Sequence, residues 1–241
     1  PFVARGHGSG LSGGALPVAG GIVIGLARLN RVLEVDIPNR RVTVEPGVTN
    51  LEITRQVAPH GFYYAPDPSS QQVCSIGGNV AENSGGAHCL KYGFTVHHVL
   101  GIEAVLPSGD LVRLDSAIAD APGPDLLGVL IGSEGTLAVV TKVIVRILRR
   151  PESVQTLLAA YDTISAAGMA VSEVIGAGII PAAVEMMDSL AIEAVEAAVH
   201  PNFPPANTIL IVELDGPVAE VTEQFAQVEA ICRRAGATKR S

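Results

Sequence analysis

Basic residues are scarce in this chain: 16 lysines and arginines stand against 24 aspartates and glutamates, for a formal net charge of −8 at pH 7. No nucleic-acid partner is expected, because binding along a polyanion needs a basic face. A phosphate-bearing cofactor remains possible, since backbone N–H groups bind anions without cationic side chains. Cysteine is sparse too. Cys74, Cys89 and Cys232 are odd in number and form no CxxC pair, so a reducing, cytoplasmic setting is expected and a disulfide framework is not. His88 adjoins Cys89, with His97 and His98 nearby, but no spacing fits a zinc pattern and no metal is expected. Apolar runs are too short for a transmembrane segment, and no basic-then-apolar segment opens the sequence. Aromatics are 4% of a chain that is 48% hydrophobic, which fits an α/β protein rich in small aliphatics. Its 241 residues suffice for one large domain or two small ones. Both ends look cut, so a fragment is expected.

Along the chain, Pro1 to Gly14 is mostly small residues, and Gly20-Gly21 lead into Ile22-Val23-Ile24, which reads as a short buried strand. Val32 to Ile37, the turn Pro38-Asn39-Arg40 and Val42 to Val44 predict a β-hairpin. Thr49 or Asn50 can cap a helix through about His60 that faces Leu51, Ile53 and Val57 inward. Ala65 to Ser69, with two prolines, is a rigid turn. Ser75 to Gly86 reads as a loop around a short helical turn, followed by a hairpin over Val99 to Leu114, a helix near Asp125–Ile131 and a β run from Leu137 to Leu148. Past Pro151 the pattern becomes three β-then-α units, which suggests an α/β or ferredoxin-like second domain.

Chemistry concentrates in three glycine loops. Arg5 to Gly14 is the densest, and glycines there let successive N–H groups converge on an anion, for which a dinucleotide pyrophosphate is the natural guest. Gly8-x-Gly10-x-x-Gly13 also has the spacing of a Rossmann fingerprint, with Glu34 about twenty residues on. That fingerprint must open a helix, and Pro17, Gly20 and Gly21 oppose one; a helix starting at Gly13 would support a nicotinamide dehydrogenase instead. Gly10-x-Ser12-x-Gly14 spells a hydrolase nucleophile elbow but lacks the strand and helix that frame one. The second loop joins Pro66-Asp67-Pro68-Ser69-Ser70 to Ser75 through Gly86, with Asn79 and Asn83 on one face of a helical turn. Gly132 to Leu137 is the third. Each alone could be a turn; together they call for one large ligand.

In this order the motifs resemble the FAD-binding domain of the family that includes vanillyl-alcohol oxidase, D-lactate dehydrogenase and D-2-hydroxyglutarate dehydrogenase. The phrases APHGFYYAPDPSSQ, CSIGGNVAENSGGAHCLKYG, IPAAVEMMDSL and ELDG are similar to the FAD-linked subunits of bacterial glycolate oxidases in particular. The resemblance implies an α+β fold: a PCMH-type FAD-binding domain over residues 1–150, lacking its N-terminal part and represented by its second α/β subdomain. The start of a ferredoxin-like α/β substrate (cap) domain would follow over residues 151–241. It implies non-covalent FAD, since Ser9 occupies the place where some relatives attach the flavin through a His, and His7 lies two positions earlier.

By the same resemblance, Arg5, Gly6, His7, Gly8, Ser9, Gly10, Leu11, Gly13 and Gly14 would hold the pyrophosphate. Pro66 and Asp67 would lie along the flavin, with Ser75, Gly77, Gly78, Asn79, Asn83, Ser84 and Gly85 near its ring and ribityl chain. Glu134, Gly135, Val139 and Val140 would flank the adenine, where Ala138 replaces the family's usual Gly. The activity implied is oxidation of a small 2-hydroxy acid, glycolate or D-lactate, by hydride transfer to flavin N5. Electrons would pass to a partner subunit or quinone. Implied partners are a second FAD subunit and an iron–sulfur subunit, with possible association at the inner face of the membrane. D-2-hydroxyglutarate oxidation, or a non-catalytic FAD-binding scaffold, are the alternatives. The family's HxGDGNxH-like and GEHG-like segments do not occur in these residues, so no catalytic base or metal ligand is assigned.

Overall fold

A computed structural model describes residues 1–115 and 123–240 and divides into two units. The first comprises Pro1–Gly86 and Tyr92–Arg150; the second comprises Ala87–Lys91 and Pro151–Ser241.

The first unit opens with β1 (Phe2–Arg5) and β2 (Ile22–Gly25), a two-stranded parallel pair. The expected buried strand at Ile22 to Ile24 forms but is not buried: Ile22 is 67% exposed and Val23 39%. Its only hydrogen-bonded neighbour among the described residues is β1. The predicted hairpin is β3 (Val32–Asp36) with β4 (Arg41–Val44), in which Val42 and Val44 alternate inward between Arg41 and Thr43. Next comes α1 (Asn50–Val57), continued by a 3₁₀ turn through His60. Thr49 holds its N-cap place without a side-chain cap bond, and the helix buries Asn50, Ile53 and Val57 while Leu51 is only half-buried. Thus the inward face begins one residue earlier than its apolar pattern indicated.

Strand β5 (Phe62–Tyr63) leads to α2 (Ile76–Glu82), and α3 (Cys89–Tyr92) follows. Then come β6 (Val99–Val105), β7 (Leu111–Asp115), α4 (Leu126–Leu130), β8 (Val139–Arg146) and β9 (Leu148–Arg149). Five strands form an antiparallel sheet in the order β3-β4-β8-β6-β7. One face carries Val42, Val44, Ala104, Val143 and Val145, all fully buried against Ile53, Val57, Ile76 and Val80 of the helices. Each such valine or isoleucine contributes about 1.5–3 kcal/mol on burial. That packing fixes α2 over the sheet, which is what positions the candidate site.

The second unit runs β10 (Ser153–Tyr161), α5 (Ile164–Gly176), β11 (Ala183–Asp188), α6 (Ser189–Val199), β12 (Thr208–Gly216), α7 (Val218–Arg234) and β13 (Lys239–Arg240). Its sheet order is β11-β12-β10-β13 with every pairing antiparallel, the ferredoxin-like arrangement with α6 inserted between the second and third strands. Leu157, Ala159 and Tyr161 alternate with outward residues along β10 and pack with Leu210, Val212 and Leu214 against Ala170, Val174, Val221 and Val228. Thr163 and Asp188 cap α5 and α6 by accepting from the N–H groups of Ala166 and Ala191.

Candidate functional site

The three glycine loops meet. A cavity of about 150 Å³ is walled by the first loop at Gly6, His7, Gly8, Ser9, Gly10 and Gly14. The second loop contributes Ser75, Gly77, Gly78, Asn79 and Ser84, and the third Glu134, Gly135 and Val140. No helix starts at Gly13: the first loop is a series of turns, with Leu16 N–H donating to Gly13 carbonyl and left-handed backbone at Gly8 and Gly13. The Rossmann and nucleophile-elbow patterns therefore lack their required frames.

Local sequence explains how each wall is made. Residue Ser75 accepts from Gly78 N–H and caps α2, whose Ile76 and Val80 sit one turn apart on the buried side. On the other side, a Cβ at Gly77 would stand 2.6 Å from Pro46 Cβ, so only glycine lets this turn approach the Pro46 wall. The helix ends at Asn83 in left-handed backbone, and its last carbonyls are used from outside. Gly132 N–H donates to Val80 carbonyl and Glu134 N–H to Ala81 carbonyl, which binds the third loop to α2.

Asn79 is buried, and its side chain is held from behind. Asn50 Nδ2 donates to Asn79 Oδ1 at 3.0 Å and to Pro66 carbonyl at 2.9 Å, while Asn79 Nδ2 reaches Cys74 Sγ at 3.3 Å. Behind Ser84, Thr95 donates to Ser84 carbonyl from both its N–H and hydroxyl. Tyr64 and His98 lie in the same interior, rings edge-on at 6.0 Å. His98 Nε2 meets Tyr92 carbonyl at 2.7 Å, so that nitrogen carries the proton. Burial pushes the His98 pKa down and that of Tyr64 up.

Several expected positions lie outside the cavity lining. Arg5 turns its Nε to Ala15 carbonyl at 3.1 Å and braces the first loop. Leu11 is fully exposed, and Gly13 forms the turn to Leu16. Pro66 is engaged through its carbonyl by Asn50, and Asn83 Oδ1 accepts from Val96 N–H. Asp67 and Gly85 are also absent from the lining, and Val139 pairs with Val105 in the sheet. Conversely, Ala4, Ala15, Leu26, Pro46, Ser70, Cys74, Glu82 and Ser133 line the cavity without having been singled out. A Pro46-Gly47 turn directly after a predicted hairpin was the available signal for one of them. Ala138 is 9% exposed and also lines the cavity.

Electrostatically the lining is unusual for an anion site, with Glu82, Glu134, His7 and Cys74 as its ionisable side chains and no Lys or Arg. The donors are instead main-chain: among the described residues, the N–H groups of Gly6 to Gly10 donate to no protein acceptor. Such a row of unengaged N–H dipoles favours a negatively charged guest. Among the described residues no group of three or more His, Cys, Asp or Glu could hold a metal ion.

Comparison with known proteins gives the chain its class. Residues 1–115 match the family described as FAD binding domain, and residues 150–241 match the C-terminal domain of FAD linked oxidases. The chain belongs to the FAD-linked oxidases. It is 51% identical over 239 residues to the glycolate oxidase subunit GlcD of Escherichia coli (strain K12), covering 99% of this chain and 48% of that protein. It is 43% identical to glycolate oxidase subunit GlcD of Bacillus subtilis (strain 168), covering 98% and 51%. With D-lactate dehydrogenase of Archaeoglobus fulgidus it shares 37% identity over 80% of this chain and 43% of that protein. The chain thus spans about half the length of the curated relatives it matches. A solved structure of alkyldihydroxyacetonephosphate synthase superposes with a TM-score of 0.82 at 24% identity, over 98% of this chain and 46% of that one, which shows the fold.

The residues present fit FAD. The row of N–H groups from Gly6 to Gly10, which donate to no protein acceptor among the described residues, suits a pyrophosphate. A cavity of about 150 Å³ is below the roughly 300–1,000 Å³ of whole-ligand pockets, so it has room for one section of an extended dinucleotide and not for the whole.

Proposed function

We propose that this chain is the cofactor-holding part of an enzyme that oxidises a small 2-hydroxy acid, glycolate or D-lactate, to the 2-oxo acid with non-covalent FAD. The observation that carries the proposal is the convergence of Gly6 to Gly14, Ser75 to Ser84 and Glu134 to Val140 on one cavity. When bound, FAD supplies the electron acceptor to which the substrate's Cα hydride passes. The N–H groups of Gly6 to Gly10 hold its pyrophosphate. The Ser75–Asn79 turn, buttressed by Asn50, orients the part that lies against α2, and Val140 with Ala138 closes the far wall. No side chain here is given the role of base.

The names of the relatives support a glycolate oxidase subunit, working with further subunits of such an oxidase, over a stand-alone D-lactate dehydrogenase. No helix among the described residues is long and apolar enough to cross a membrane. The test is to purify the full-length protein and record its absorption. Flavin bands that pass into the supernatant on acid precipitation are expected, followed by bleaching with glycolate under anaerobic conditions. A colourless protein that takes up no added FAD would overturn the cofactor assignment. Bleaching by D-lactate alone would move the substrate from glycolate to D-lactate.

A further inference from the structure

The cavity in the first unit is poorly matched to a dianionic diphosphate in one respect. Its donors, the N–H groups of Gly6 to Gly10, carry only partial charge, while two carboxylates share the lining: Glu82 at the end of α2 and Glu134 of the third loop. Each lies against the first loop. A Cβ on Gly10 would stand 3.5 Å from Glu82 Oε1, and one on Gly14 would stand 4.0 Å from Glu134 Oε2. Among the described residues neither carboxylate has a hydrogen bond or an ion pair. The loop's own guanidinium is committed elsewhere, since Arg5 donates to the Ala15 carbonyl at 3.1 Å and lies outside the lining.

Among the described residues that line the cavity, His7 alone can become cationic near neutral pH. Its imidazole is exposed and has no hydrogen bond or ion pair among those residues. Cys74, the remaining ionisable group, is buried and accepts from Asn79 Nδ2 at 3.3 Å. The balance of charge around an anion on the N–H row is therefore set by whether His7 holds a proton.

We infer that His7 makes FAD binding proton-linked: its imidazole takes up a proton from solvent as the diphosphate settles on the N–H row, and Glu82 and Glu134 weaken the complex once that proton is gone. The inference rests on the cofactor assignment above and concerns regulation of the same site. Linkage fixes the sign. A guest that favours the protonated ring raises the ring's proton affinity by the same factor as the proton tightens the guest. FAD is thus held more firmly on the acid side of the imidazole's titration than on the alkaline side. A unit charge about 4 Å away in water changes an affinity roughly fivefold, which sets the size expected at a solvent-open wall.

The test uses the full-length protein, stripped of flavin and titrated with FAD by fluorescence between about pH 5.5 and 8, with circular dichroism confirming the fold at each pH. Wild type is expected to bind about fivefold more weakly at the alkaline end, and calorimetry in two buffers of different ionisation heat should show proton uptake. His7→Gln should bind at the weaker strength throughout with no proton uptake, and His7→Lys tightly with no slope. Glu134→Gln is expected to tighten binding about fivefold at the alkaline end. A wild type that takes up no FAD at any pH overturns the cofactor assignment and this inference with it. If FAD binds with an affinity independent of pH, the cofactor assignment stands and the inference alone fails. It fails equally if His7→Gln keeps the slope and the proton uptake, an outcome that would move the linkage to the buried His98. Should His7→Gln not fold, His7→Lys decides, and a slope that survives that substitution overturns the inference.

Discussion

Gly6 and Ser75 lie so close that the glycine's missing Cβ would fall on the Ser75 hydroxyl. The first and second glycine loops are thereby in register at one point, and the same hydroxyl caps α2. Gly6→Ala is expected to force the loops apart and weaken FAD binding at least tenfold. Ser75→Ala alone is expected to cost about 1 kcal/mol of stability through the lost cap. Added to Gly6→Ala, it should cost less than the sum of the singles, because it removes the clashing atom. Thermal melts and FAD titration of the three variants check this.

Gly77 presents a different obstacle. Its would-be Cβ meets Pro46 Cβ at 2.6 Å and Pro46 carbonyl at 3.0 Å, neither of them the end of a flexible chain. Gly77→Ala is expected to destabilise the protein by about 1–3 kcal/mol, and Pro46→Ala should not rescue it because alanine keeps both the Cβ and the carbonyl. Denaturant midpoints of the single and double variants read the outcome.

Asn50 touches no cavity surface, yet its amide joins the Pro66 carbonyl to Asn79. Asn50→Ala leaves two buried acceptors without their donor, at a cost of about 1–3 kcal/mol. Asn50→Asp is expected to be no better, since a carboxylate cannot donate. Equal stability of wild type and Asn50→Ala in urea would count against this account.

The buried His98 gives a pH dependence with a definite sign. Burial lowers its folded pKa below the ordinary 6.5, so the unfolded chain takes up a proton first as the solution is acidified. Stability contributed by the neutral ring is complete above pH 6.5 and declines below it, down to the folded pKa. His98→Gln is expected to flatten the stability profile in that window. A profile identical to wild type between pH 6.5 and 5 would show another group to be responsible.

Glu45 acts at lower pH. The Arg31 side chain, then the Arg31 N–H, holds its pKa below the usual 4.5, through contacts of 2.8–3.1 Å. Its stabilisation is complete above pH 4.5 and is lost as pH falls through the depressed value. Glu45→Gln should remove that part of the acid limb, as followed by circular dichroism, and leave the His98 window in place.

Much of this arrangement was legible in the residues themselves. The alternation of Val42 and Val44 against Arg41 and Thr43 marked a half-buried strand, and the β-then-α rhythm after Pro151 marked the ferredoxin-like unit. Glycine density marked the three walls. What escaped was set by long-range contact. Cys74 reaches the cavity because Thr49 bridges to Ser75 and Asn50 N–H bonds the Cys74 carbonyl, and neither leaves a local pattern. Ile22 to Ile24 looked buried because apolarity reports what could be covered, while coverage depends on neighbours. Asn83 ends α2 through its left-handed backbone and its bond to Val96, a role set by a contact thirteen residues away. That Ala87–Lys91 belongs to the second unit was equally hidden.

The bonds from Gly132 and Glu134 to the last carbonyls of α2 carry a dynamic consequence. A helix of seven residues is too short to persist alone in water, so its survival depends on what packs against it and plugs its end. Opening the Gly132–Gly135 segment uncaps α2 and disperses the cavity wall in the same event, rather than loosening one edge of it. Amide hydrogen exchange at Gly132, Glu134, Asn79 and Val80 is therefore expected to share one opening free energy and to slow together when FAD is added.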